Sequence, residues 1–154
     1  MGKSVTAIIA YGVFVEEAPW QDEEWNDDYG EWWFKGVHKF KPSKEVWDEK
    51  GARLPGMTDK DASDFFEEER KFKKANPFPY DLEMLGSGDS YQWFLCLPME
   101  DFGIGADWGD ATAFEPSDLK IPKDTAKKMK AFCKKYKITY SDEPSWTLIA
   151  YSDY

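Results

Sequence analysis

The chain has 154 residues, 32% of them charged and 18% aromatic, with a net charge of −10. That length fits one domain with a real core, and so many aromatic rings exclude a disordered chain. The acidic balance argues against direct binding to the phosphate backbone of nucleic acids or to an anionic membrane surface, and favours a basic partner.

The first element is Val5–Val15, apolar on both alternating faces, which suits a strand buried on both sides. It is too short for a membrane span and reads as a strand rather than a signal peptide. Gly12 inside it marks a bulge or a close backbone approach.

Residues 16–34 follow, with eight carboxylates (Glu16, Glu17, Asp22, Glu23, Glu24, Asp27, Asp28, Glu31) and no Lys or Arg. The same stretch holds Trp20, Trp25, Trp32 and Trp33, four of the eight tryptophans. Pro19 suits the first position of a helix, and acidic residues suit its positive end. Trp25, Tyr29, Trp32 and Trp33 then fall on one helical face, which a core could claim. The rival reading is an acidic loop leading into a strand at 32–40.

Residues 41–58 are rich in turn formers, with one or two helical turns expected over Ser43–Lys50. A firmer helix starts after Thr58. It has Asp59, Asp61 and Asp64 early, Phe65, Phe66 and Phe72 on one side, and Lys71, Lys73 and Lys74 late, before Asn76-Pro77. Tyr80–Leu85 and Ser90–Leu97 flank Gly86-Ser87-Gly88-Asp89, which is a hairpin signature. Residues 99–118 read as a long loop with three glycines, six carboxylates and Trp108. Pro122–Tyr136 is an amphipathic helix with Ala126, Met129, Cys133 and Tyr136 inward. Eight lysines lie between Lys120 and Lys137 against the single Asp124. Trp146–Tyr151 alternates as a last strand. The expected fold is therefore a single α+β domain over residues 1–154. It has a mostly antiparallel sheet of about four strands and two main helices packed on it.

The residues Ala10-Tyr11-Gly12, the acidic segment ending Glu31-Trp32-Trp33, and Asn76-Pro77-Phe78-Pro79 form part of a wider pattern. It continues with Gly86-Ser87-Gly88-Asp89, Trp93-Phe94-Leu95, Phe132-Cys133 and Trp146-Thr147-Leu148-Ile149-Ala150-Tyr151. Over nearly its full length the chain thereby resembles a group of small acidic proteins of unknown function from tailed phages and bacteria. The resemblance implies a phage or bacterial cytoplasmic protein and no particular reaction.

Catalytic and metal chemistries find little support. The one histidine, His38, has no local motif joining it to Cys96 or Cys133, and buried structural thiols are the simpler reading. An acidic loop starting at Glu24 has Tyr29 where a calcium loop needs glycine. No Cys/His spacing suits zinc, and Asp107 and Asp110 read as a solvated turn. Gly103 and Gly105 are followed by Trp108 where a dinucleotide fingerprint has its third glycine. No metal and no cofactor are expected.

What remains is a charge display. A partner protein with a basic surface would meet Asp22, Glu23, Glu24, Asp27 and Asp28, with Trp20, Trp25 and Trp108 as apolar anchors. Duplex DNA carries one charge per about 1.7 Å, so the segment could imitate only part of a duplex. Two alternatives stand beside this binding role: a small-ligand or nucleotide binder, and a carboxylate-dependent enzyme. It is also open whether the acidic segment pairs with the lysine-rich helix or faces solvent.

Overall fold

A computed structural model describes residues 4–87, 90–107 and 110–153. In chain order it begins with strand β1 (Ser4–Glu17), a 3-10 turn (Pro19–Gln21), and a short helix α1 (Tyr29–Glu31) that widens into a π-helix (Trp32–Val37). Helix α2 (Asp59–Ala75), strands β2 (Asp81–Ser87) and β3 (Ser90–Cys96), helix α3 (Met99–Phe102) and strand β4 (Ile104–Asp107) come next. A 3-10 turn (Pro116–Asp118), helix α4 (Thr125–Lys135) and strands β5 (Thr139–Tyr140) and β6 (Ser145–Asp153) complete the series. The fold is α+β. Its sheet has six strands, two more than the sequence pattern indicated, and every described pairing is antiparallel. The chain divides into two compact units: Met1–Pro19 with Pro79–Tyr154, and Trp20–Phe78.

The first unit is organised by β1. Gly12–Val15 pair with residues of β3 and Thr6–Ile9 with β4. Residues Ser4–Gly12 pair with β6, and Val15 and Glu17 with β5 across an irregularity. Ile8 pairs with both Gly105 and Ile149, so β4 and β6 lie on opposite edges of β1. Both faces of β1 are used. Ile8 and Ala10 join Phe94, Cys96 and Ile149 in one buried cluster, with Phe14, Leu85 and Met99 against it. Tyr11, Val13 and Val15 are buried from the alternate set. This is why the strand reads as a continuous apolar run.

The expected hairpin is present, with Ser87 paired to Ser90 at its tip. Its turn residues Gly88 and Asp89 lie outside the described residues. The 99–118 stretch is more ordered than a loop. Asp81 Oδ2 accepts a 2.7 Å hydrogen bond from Met99 N at the start of α3. Gly105 is paired in β4, where its small size disguises a strand position. Helix α4 starts later than Pro122. Asp124 takes a left-handed φ of +64°, and the Thr125 hydroxyl donates to the Pro122 carbonyl at 2.6 Å. Met129 and Cys133 are fully buried, and Lys130 reaches Glu143 at 2.6 Å.

The second unit is aromatic. Helix α2 carries a full capping box: Thr58 Oγ1 accepts from Asp61 N, and Asp61 Oδ2 accepts from Thr58 N. Asn76 closes the helix, as expected. Trp33 Nε1 donates to the Asn76 carbonyl at 3.0 Å and ties the π-helix to the end of α2. Trp32 and Trp33 are both buried, with Tyr29 and Phe78 in the same cluster of rings. An α-helix would splay neighbouring side chains by a larger angle. The wider π turn, closed by His38 N to Trp33 O at 3.0 Å, lets both rings face inward. The strand at 32–40 of the rival reading is therefore absent.

Candidate functional site

The acidic segment is a compact turn rather than the first half of a long helix. Trp25 N and Asn26 N both donate to Asp22 O, at 3.0 and 2.9 Å, and Asp27 N reaches back to Trp20 O at 2.8 Å. Asn26 and Asp27 take positive φ angles of 47° and 62°, a region that Asn and Asp enter more readily than most residues. Asp28 then caps α1, its Oδ1 accepting from Glu31 N at 3.0 Å. A carboxylate at this place also suits the positive end of the helical backbone. Two successive αL residues explain why a continuous helix from Pro19 does not form.

The carboxylates divide by position. Asp22, Glu23, Glu24 and Asp28 are exposed, and Asp27 is half-buried. Among the described residues Asp22, Glu23 and Glu24 make no ion pair, whereas Glu31 holds Lys35 at 2.6 Å. The tryptophans anchor the turn from within. Trp20, expected among the contact residues, is fully buried, with its ring against Tyr29 and Trp32. Trp25 is half-buried and lies over Gly36: a β-carbon there would fall 2.9 Å from the Trp25 ring. Trp108 lies outside the described residues. Gly36 was not singled out from sequence. A glycine inside the aromatic run Trp32–Phe40 was the available signal, because a missing side chain there makes room for a ring.

The nucleophilic chemistries weaken further. Burial pushes the Cys96 thiol up to about 12, with Asp81 and Glu83 adding to it, and the Cys133 thiol up to about 11. Thiols so strongly protonated are poor nucleophiles at neutral pH. His38 packs edge-on against Trp33 at 4.6 Å and against Phe72 at 6.4 Å, in an aromatic setting. Glu83 is raised by desolvation first and by Asp81 second, while Asp81 itself is engaged with Met99 N. Among the described residues no group of three His, Cys, Asp or Glu side chains converges as a metal cage. Also among those residues, no helix is long and apolar enough to cross a membrane.

The fold and site thus define an α+β protein with a pinned acidic turn. Comparison with protein-family models, with curated proteins and with solved structures finds no match.

Proposed function

We propose that the chain acts by binding, and that its acidic turn docks on the basic surface of a partner protein. The supporting observation is the exposure of Asp22, Glu23, Glu24 and Asp28 on a turn whose backbone is closed by four hydrogen bonds. Charges held on a fixed backbone lose little freedom on docking, so their attraction is not spent on ordering a loop. Carboxylates at an interface rim speed encounter and select partners of opposite charge. In the setting that the phage resemblance implies, the partner is a host protein in the cytoplasm. The turn would cover a surface that otherwise holds nucleic acid, as an inhibitor that imitates part of a duplex. The half-buried Trp25 supplies the apolar contact beside the charges.

The test is capture from a bacterial lysate by the immobilised chain. A partner should be retained at low salt and released at high salt, because screening shortens the reach of exposed charges. Duplex DNA should compete for it. Reversal of Asp22, Glu23, Glu24, Asp27 and Asp28 to lysine should abolish retention. Retention unchanged by that reversal would remove the proposal.

A further inference from the structure

Strand β6 pairs with β1 over nine consecutive residues without a register shift, from Ser4 opposite Asp153 to Gly12 opposite Ser145. Among the described residues no strand lies on its other edge. Such an edge presents a row of unpaired backbone N–H and C=O groups, and it accepts another strand unless something blocks it. The usual blocks are proline, lysine, a bulge or brevity. Strand β6 has none of them: it reads Ser-Trp-Thr-Leu-Ile-Ala-Tyr-Ser-Asp, with its one charge at the last position. The other edge strands differ. Strands β4 and β5 have four and two residues, and β2 carries Asp81 and Glu83.

The sheet face beside this edge is apolar and open. Leu148 is 72% exposed, and Ala150 is also exposed. Leu148 sits opposite Ile9, and Ile9 opposite Ile104, so three branched side chains cross three strands in one row. With Ala7, Ala106 and the exposed Phe114 they border a hollow of about 160 Å³.

We propose that the outer edge of β6 pairs antiparallel with β6 of a second copy of the chain. Charge does not bar this occupant along the seam itself. A chain of net charge −10 meets its own kind with repulsion on most approaches, yet residues 145–152 bring no charged side chain to the seam. Shape favours it. A two-fold contact needs one patch that complements itself. A two-fold axis perpendicular to the sheet keeps both Leu148 side chains on one face, each beside a hollow. Two strands of equal length then merge the two sheets into one. This edge uses none of the residues of the acidic turn and does not depend on the reading of it.

Sedimentation equilibrium of the full chain, at low and high salt, tests the proposal. A monomer–dimer equilibrium is expected that tightens as salt rises, because screening relieves the repulsion between two acidic chains. That is the opposite of the salt response of docking to a basic partner. Amide exchange over residues 145–150 should slow as protein concentration rises. Leu148→Lys, at an exposed position, should weaken the dimer at least about tenfold, since it sets like charges close together across the seam. At concentrations where both are monomers, its circular dichroism and melting temperature should match those of the unaltered chain. A monomer at every concentration and salt would overturn the proposal. So would a dimer undiminished by Leu148→Lys, or a monomer whose β6 edge instead takes up an unrelated extended peptide.

Discussion

Gly12 of β1 lies directly against the backbone of Leu95 on β3. A β-carbon at Gly12 would collide with the Leu95 carbonyl oxygen and come 2.7 Å from Cys96 Cα. The obstacle is backbone within a paired strand, so no side-chain rotation relieves it. Gly12→Ala should therefore destabilise the protein by about 3 kcal/mol or more, the upper range for overfilling a packed site. Gly51 has a φ of +79° with nothing within 4 Å of an added β-carbon. Gly51→Ala should cost only about 1–2 kcal/mol, from backbone strain alone. Urea unfolding of the two variants measures the difference.

The contact of Trp25 with Gly36 gives a way to disturb the acidic turn without altering its charge. In Gly36→Ala the new methyl would meet the Trp25 ring at 2.9 Å. The ring must move, at an expected cost of about 1–3 kcal/mol. The near-ultraviolet dichroism of the tryptophans should change. Capture of a basic partner should weaken although every carboxylate is retained. Unchanged capture would show that the turn needs its charges but not its fixed shape.

Much of this was legible in the sequence, and the exceptions have a common cause. Alternation and capping are local signals, so β1, the β2–β3 hairpin and α2 were visible from residue type alone. Thr58, Asp61 and Asn76 do the work at the ends of α2 that their chemistry implies. Strand β4 was read as loop because Gly103 and Gly105 are turn formers. Its strand character comes from pairing with β1, far away in sequence. The same holds for β5, two residues that are a strand only because Val15 and Glu17 lie beside them. In the acidic segment the tryptophan spacing suggested a helix. The left-handed Asn26 and Asp27, followed by the Asp28 cap, broke it, and the π turn at Trp32–Val37 served the rings instead.

Asp61 links the capping box to pH. A hydrogen bond from Thr58 N, first, and then hydrogen bonds from Lys44 and the Thr58 hydroxyl hold its carboxyl well below the usual carboxylate range. The folded state therefore binds this proton less readily than the unfolded state. The stability that Asp61 adds is present above the ordinary aspartate value of about 3.9 and fades as pH falls below it. Asp61→Asn should flatten the fall in stability on acidification below about pH 4. Thr58→Ala should cost about 1 kcal/mol at neutral pH through the lost cap. Denaturant titrations from neutral to acidic pH check both.

Cys96 and Cys133 act in the opposite direction. Their thiols stay protonated in the folded chain up to about 12 and about 11. In the unfolded chain they ionise from about pH 8.5. The unfolded state is therefore favoured progressively as pH rises above that value. Replacement of both by alanine should reduce the slope of stability against pH in this alkaline window. A thiol reagent at neutral pH should modify neither cysteine until denaturant is added. Rapid modification of the native protein would contradict the burial of both sulfurs.

The position of β1 also governs when the sheet can be completed during synthesis. One of its edges awaits β3 and β4, and the other awaits β5 and β6, the last of which begins only at Ser145. On a ribosome this strand, apolar on both faces, emerges well before β6 and stays without half its ladder until β6 has left the exit tunnel. Pairings so distant in sequence are slow to form and leave strand edges exposed meanwhile. The nascent chain thus exposes a strand apolar on both faces well before the residues that complete its ladder are made.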